Sequence, residues 1–269
     1  MAWGETARRH VTNFMARTAP NQIETVEKWY APLLALRPGS INPEAKAAAA
    51  SARRVAELLD RLRSQMVETA GEPDWRRARH AAEIVCQSAM YLAEGQGANY
   101  RDEMMARNVL WLIEEEFPGR KIILWAHNSH ISSASDVVSK PMGAWLRERL
   151  GKSYYALGFA VAGGQVRAQG PQGLSDYPMP RAVEGSGDWV LALTGLPGFF
   201  LEIKRLPDKS SSKTWLGQPH SFYSVGGMLN PEVQAANTAV YIPAQSFDAL
   251  IFFREGHAAK PNQVQKERE

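Results

Sequence analysis

The chain has 269 residues, a formal net charge of +3 and a charged fraction of 22%, which is ordinary for a globular protein and does not indicate a nucleic-acid binder. It shows no signal peptide and no apolar stretch long enough to span a bilayer. We therefore expect a cytoplasmic protein whose partners include neither nucleic acid nor a membrane.

The only cysteine is Cys86, which rules out an intrachain disulfide and fits a reducing compartment. Its apolar neighbours Ile84 and Val85 predict a small residue of the core rather than a nucleophile.

The first half of the chain has apolar residues at helical spacing. The predicted helices cover residues 1–20, 22–36, 43–70, 75–93 and 99–117. We expect the helices within residues 43–93 to form a hairpin cap that roofs a substrate cleft.

The second half alternates short apolar runs with loops. Residues 121–126 predict a strand buried on both faces, as in a parallel sheet covered by helices. Further elements are predicted in chain order: a helix at 141–150, a strand at 154–161, a turn at 163–164, a loop at 169–181, a helix at 188–193, a strand at 199–203, a turn at 223–227 and a strand at 247–253.

These elements predict an α/β fold of three layers, α/β/α, with a mainly parallel sheet and a helical hairpin cap. We expect one domain over residues 1–269, with a helical part at 22–117, a strand-rich part at 120–256 and a disordered tail at 258–269.

The segment His127-Asn128-Ser129-His130 directly follows the first predicted strand. Ligands of α/β sheets collect beyond the carboxyl ends of strands. An imidazole exchanges protons near neutral pH, and two neighbouring imidazoles perturb each other. The pattern favours an active site, although a histidine after a strand can also be a hydrogen-bonded structural residue.

A metal site is an alternative interpretation of the two histidines. No HExxH pattern and no CxxC pair accompanies them, so the sequence does not favour a tightly held metal. Haem binding through His127 and His130 is a weaker alternative of the same kind.

A polar pair on the helix at 99–117 is the second candidate. Arg101 and Asn108 share one face of that helix with Met105 and Leu112. They could point into a cleft, or Arg101 could simply form surface pairs.

The order of these pieces resembles the erythromycin esterase family over about residues 22–256. The segments that carry the resemblance are Tyr100-Arg101-Asp102, Met105-Ala106 with Asn108, Ala126-His127-Asn128-Ser129-His130, Met142-Gly143, Leu146-Arg147, Leu150-Gly151, Tyr154 to Gly158 and Phe247-Asp248-Ala249-Leu250.

The resemblance implies a fold with helices on both sides of a mainly parallel sheet. Members that confer macrolide resistance hydrolyse a lactone ester without an obligatory metal, using a histidine to activate water. It thus implies that His127 and His130 are catalytic, that Asn128, Arg101 and Asn108 contact substrate, and that no cofactor is needed. The implied partner is a small-molecule ester, with a macrolide as one candidate.

One family element is absent. The family's Gly-Glu-x-x-His-Gly motif is only superficially matched by the run from Gly4-Glu5 to His10. We expect a member lacking its N-terminal part, with an exposed sheet edge that could support self-association. The rival hypothesis is a non-catalytic member that only binds a ligand or partner. No Gly-x-Ser-x-Gly motif is present, which argues against a serine nucleophile.

Overall fold

The computed structural model describes residues 4–36, 44–93, 98–135, 139–226, 228–230, 232–233 and 237–260. The chain divides into two compact units, residues 1–120 and 121–269. The end of the predicted disordered tail, residues 261–269, lies outside the described residues. The expected single domain stays a prediction.

The first unit is helical. Its α-helices are α1 (Glu5–Thr18), α2 (Ile23–Leu34), α3 (Ala45–Arg61), α4 (Arg63–Ala70), α5 (Glu72–Ala93) and α6 (Ala98–Trp111). The long helix predicted at 43–70 is thus two helices that meet at Leu62, where the backbone leaves the helical region at φ −94° and ψ 9°. A π-helical turn, Leu112–Glu116, follows α6.

The core of the first unit forms from the apolar faces of α1 to α5. Its largest buried side chains are Phe14, Met15, Tyr30, Leu59 and Met66. Cys86 belongs to this core, and burial raises the pKa of its thiol to about 11. The predicted core position of Cys86 is confirmed, and its thiol stays protonated at neutral pH.

The second unit carries the strands. They are β1 (Leu157–Val161), β2 (Gly164–Gly170), β3 (Gly173–Met179), β4 (Gly198–Glu202), β5 (His220–Tyr223), β6 (Thr238–Tyr241) and β7 (Ala249–Phe253). Its α-helices are short: α7 (Asn128–Ile131), α8 (Met142–Leu150), α9 (Gly187–Ala192), α10 (Ser211–Leu216) and α11 (Pro243–Ser246).

The largest sheet has the order β1-β7-β4, with β1 parallel to β7 and β4 antiparallel to it. The other two sheets, β2-β3 and β5-β6, are antiparallel hairpins. Helices and strands are both present as predicted, but the sheets are mixed, so a mainly parallel sheet is not confirmed.

The prediction of a buried strand at residues 121–126 is wrong. These residues make no strand pairing among the described part of the chain, and Ile123 and Trp125 are 95% and 85% exposed. Apolar character alone cannot form a strand, because a strand needs a neighbour that accepts its backbone hydrogen bonds.

The predicted loop at 169–181 is also wrong, since β3 occupies most of it and pairs with β2. Residues 171–172 form the turn between them, and Gly173, the first residue of β3, has a φ of +82° that glycine readily adopts. The predicted turn at 223–227 instead begins inside β5, and Gly227 lies outside the described residues.

The two faces of the largest sheet differ. Leu250 and Phe252 are buried on one face. The opposite face carries Phe159, Phe200 and Phe253, which are 37%, 56% and 46% exposed. In the part of the chain that is described, no helix is long and apolar enough to cross a membrane.

Candidate active site

The two histidines lie on one tight turn of the second unit, which we call the histidine turn (residues 127–130). His127 is the N-cap of α7, with extended backbone angles of φ −65° and ψ 151°. Its carbonyl accepts the His130 N–H at 2.9 Å. His127 and His130 are therefore held together by one turn of backbone, and both are half-buried.

The hydrogen bonds of His127 determine where its proton sits. The Ser129 N–H donates to Nδ1 of His127 at 3.3 Å, and the Ser129 hydroxyl lies 2.9 Å from the same nitrogen. A nitrogen that accepts from a backbone N–H carries no hydrogen of its own. The neutral ring therefore bears its proton on Nε2, the nitrogen that remains to donate.

The surroundings of His127 favour this neutral form. Burial lowers the pKa of His127 below its ordinary value, and the neighbouring His130 lowers it further. A hydrogen bond with the backbone of Val225 raises the pKa of His127, but by less than burial and His130 lower it. His127 is therefore an uncharged imidazole with a directed N–H at neutral pH.

Asn128 fastens the histidine turn to the sheet. Its Nδ2 donates to the Phe159 carbonyl at 2.6 Å, and its Oδ1 accepts the Phe159 N–H at 3.0 Å. This side-chain amide bonds to the free edge of β1 as a neighbouring strand would. Both polar groups of Asn128 are thus occupied, and its predicted contact with substrate stays a prediction.

Asp188, in the first turn of α9, holds the next part of the same edge. Its Oδ1 accepts the Val161 N–H at 3.0 Å and its Oδ2 accepts the Tyr223 N–H at 2.6 Å, which joins β1 to β5. Ser186 is the N-cap of α9, accepting the Trp189 N–H at 3.2 Å. Burial raises the pKa of Asp188 to about 7, although both N–H groups act to lower it.

A buried ion pair anchors the far end of the histidine turn. Arg147 on α8 donates to Oδ2 of Asp248 at 2.5 Å and to the Ser133 hydroxyl at 3.2 Å. Tyr154 donates through its hydroxyl to the Ile131 carbonyl at 2.7 Å. The chain just after α7 is thus tied to α8 and to the residue that precedes β7.

Neighbouring groups stabilise the negative charge of the Asp248 carboxylate. Its side chain is 1% exposed, and burial alone would raise its pKa. Lys204, the Ala156 N–H and Arg147 outweigh burial and hold the pKa of Asp248 below its ordinary value. Both Arg147 and Asp248 lie in segments that carry the family resemblance, and in the structure they form an ion pair with each other.

The other two candidate residues lie in the first unit. Asn108 on α6 exchanges hydrogen bonds with the side-chain amide of Gln87, at 3.0 Å and 3.3 Å. Arg101 is half-buried on the same helix. The structure brings His127, Asn128 and His130 together, while a place for Arg101 and Asn108 beside them stays a prediction.

No group of three or more His, Cys, Asp or Glu side chains suited to a metal ion occurs among the described residues. The site within the second unit consists of two imidazoles, an amide and a hydroxyl on one turn. Such a set can donate a hydrogen bond to a carbonyl and accept a proton from water.

A sequence model described as erythromycin esterase matches residues 2–256. The chain belongs to the erythromycin esterase family.

Two curated relatives match parts of this family member. It is 27% identical over 130 residues to YbfO, a Bacillus subtilis protein named as a hydrolase, and 25% identical over 124 residues to erythromycin esterase type II from Escherichia coli. The matches cover 45% and 42% of this chain but only 29% and 30% of the relatives.

Solved structures share the fold. They are a Bacillus cereus protein (TM-score 0.78, 19% identity), a succinoglycan biosynthesis protein (0.74, 20%) and a mutant of the erythromycin esterase EreC in its open conformation (0.67, 16%). These alignments cover 94%, 93% and 98% of this chain and 64%, 62% and 68% of the neighbours. At such identities they establish the fold of the erythromycin esterases and nothing about substrate.

Proposed function

We propose that this protein hydrolyses carboxylic esters, with the histidine turn assisting the attack of water. Membership of the erythromycin esterase family supports this, and so do the names of its two relatives. The observation that carries the proposal is the Ser129 N–H on Nδ1 of His127, because it leaves an uncharged imidazole that donates through its other nitrogen, a donor that the Val225 backbone engages in the absence of substrate.

The two histidines take different parts in the proposed reaction. His127 exchanges its bond with the Val225 backbone for one to the ester carbonyl, donates through Nε2–H and stabilises the negative charge that develops on the carbonyl oxygen. His130 accepts a proton as water adds to the carbonyl carbon, and returns it to the departing alkoxide as the carbon–oxygen bond breaks. The products are a carboxylic acid and an alcohol, which stay joined when the substrate is a lactone.

The other three candidate residues are proposed to contact substrate. Asn128 could do so only by releasing Phe159, whereas Arg101 and Asn108 would contribute from α6. We also propose a macrolide lactone as substrate, hence a part in antibiotic resistance, with no cofactor and a cytoplasmic location. The three-layer arrangement, with the helices within residues 43–93 as a cap, belongs to the same proposal.

Histidine variants test the roles proposed for His127 and His130. We expect His127→Ala and His130→Ala each to lower the rate of ester hydrolysis by about 10²–10⁴-fold, the usual cost of losing such a group. His257→Ala is the matched control, because His257 is an exposed histidine of the same unit. Unchanged rates in both site variants would remove the proposed mechanism.

A second candidate is a protein that binds an ester without cleaving it. The amide of Asn128 and Nδ1 of His127 are both engaged by the chain's own groups. A turn satisfied in this way could serve as a rigid wall of a binding site. Binding of the ester with no change in its mass would favour this candidate.

A further inference from the structure

A cavity of about 570 Å³ lies at one edge of the largest sheet, and its lining contains no residue of the histidine turn. Ala162 and Gly163 follow β1, and Arg254 and Glu255 follow β7; all four line it. Since β1 and β7 are parallel, their carboxyl ends meet at this edge, where ligands of α/β proteins collect. The volume falls within the range of about 300–1,000 Å³ found for small-molecule sites.

One wall of the cavity is fixed by Arg254. Its guanidinium donates to the Ala192 carbonyl at 2.6 Å and to the Leu196 carbonyl at 3.1 Å. These bonds hold the end of α9 and the following loop against β7, so that Trp189 and Leu193 line the opening. A wall formed before the ligand arrives lowers the entropy cost of binding.

The charges in the cavity are only partly used by the protein. Among the described residues, the side chains of Arg181 and Glu255 make no hydrogen bond or ion pair, and Arg254 bonds only to neutral carbonyls. Two guanidinium groups and one carboxylate leave an excess of one positive charge. A guanidinium binds a carboxylate or phosphate through two parallel hydrogen bonds.

The rest of the lining is apolar. Trp189, Leu193, Ala162, Ala182 and Ala192 contribute it, and the indole of Trp189 offers a flat surface to a ring or hydrocarbon. The cavity thus combines an unpaired cation with an aromatic wall. The residues lining it include none of the histidine turn, so binding here does not require the proposed hydrolysis.

We propose that this cavity binds an amphipathic organic anion, an apolar body that carries one carboxylate or phosphate group. Arg181 binds the anionic group, Trp189 contacts the apolar body, and Arg254 holds the wall while adding positive charge. Glu255 weakens the attraction for either anionic group.

Calorimetric titration of the full chain tests this proposal with three probes of one shape: 2-naphthoate, 2-naphthyl phosphate and the uncharged 2-naphthamide. We expect at least one of the two anions to bind. The amide should bind about tenfold more weakly than the tighter-binding anion. The anion that binds more tightly identifies the preferred anionic group. Arg181→Gln should lower the affinity for that anion by about tenfold. Glu255→Gln should strengthen it.

Two controls separate the cavity from other effects. Arg205→Gln removes an exposed arginine of the same unit outside the cavity and should bind as the unaltered protein does. His127→Ala should also bind normally, whether or not hydrolysis is lost. Equal binding of the amide and both anions, or equal affinity of the preferred anion for the Arg181→Gln variant and the unaltered protein, would overturn the proposal.

Discussion

A single backbone N–H determines the chemistry of the histidine turn. Because the Ser129 N–H occupies Nδ1 of His127, the ring is a donor through Nε2 and its own lone pair is not offered to water. The base in the proposed reaction is therefore His130. Sequence alone allowed His127 either to polarise the carbonyl or to act as the base, with His130 and Asn128 orienting it, because only the local turn distinguishes the two histidines.

The lowered pKa of His127 predicts how hydrolysis depends on pH. Burial and His130 both disfavour the imidazolium, so the neutral donor form persists below the ordinary histidine pKa of about 6.5. We expect the NMR titration of the His127 ring to have its midpoint below that value, with the hydrogen on Nε2. A midpoint above it, or a hydrogen on Nδ1, would contradict the proposed part of His127.

The buried carboxyl of Asp188 predicts a pH dependence of stability. Its pKa of about 7 in the folded chain lies above the ordinary 3.8, so the folded chain holds this proton more tightly than the unfolded chain does. That contribution is complete below about pH 4 and is lost as the pH rises through about 7.

Asp188→Asn removes this titration, although it also sacrifices one accepted hydrogen bond. The quantity to compare is the free energy of unfolding of the unaltered protein minus that of the variant. We expect this difference to fall by up to about 1.4 kcal/mol per pH unit as the pH rises from about 5 to 6.5. Urea unfolding at several pH values measures this difference. A difference that does not vary with pH would show that Asp188 titrates normally.

At the scale of elements, regular helices were the most predictable. The helices of the first unit follow the 3.6-residue spacing of their apolar residues, and most predicted ranges lie close to the observed ones. The strands β1, β4 and β7 were also found, because short apolar runs bounded by glycine and polar residues are typical of buried strands. The split at Leu62 was missed, since no proline or glycine marks it.

Elements whose formation depends on pairing with distant residues were less predictable. Residues 121–126 have the composition of a buried strand, yet their pairing depends on residues far away in the chain. The hairpin β2-β3 was missed because Arg167, Asp176 and its other polar residues lack a clear apolar alternation. Asn128 and Asp188 could not have been recognised as caps of the β1 edge, because a side chain that replaces a strand has no sequence spacing of its own.

The Arg147–Asp248 pair predicts a large loss of stability when it is broken. Arg147→Met leaves Asp248 with Lys204 as its cation and deprives the segment after α7 of its contact with Ser133. We expect a loss of about 2–4 kcal/mol in the free energy of unfolding, measured in urea. Arg205→Met breaks an exposed pair with Glu202 and should change it by less than about 0.5 kcal/mol. Similar losses in both variants would refute the anchoring contact.

At the scale of the whole molecule, the predicted self-association needs a surface. The free edge of β1 is a poor one, because Asn128 and Asp188 already occupy backbone groups of Phe159 and Val161. The exposed aromatic face of the same sheet is better suited, since large apolar patches are typical of contact surfaces.

We therefore expect the average mass in sedimentation experiments to rise with protein concentration. Phe200→Ser, which removes a 56% exposed ring from this face, should reduce the rise. Leu174→Ser, at a 63% exposed position on the β2-β3 hairpin, is the control and should leave it unchanged. A mass that stays that of one chain of 29.8 kDa at all concentrations would argue against self-association.

The proposed function requires that the 269-residue chain itself carries an ester-cleaving site. The most direct measurement incubates the purified protein with a macrolide lactone and a set of acyclic esters and follows each substrate by mass spectrometry. We predict that at least one lactone gains the mass of one water, or that at least one acyclic ester yields its acid and alcohol, with the rate lost in His130→Ala. Esters that bind and are recovered intact would contradict the claim.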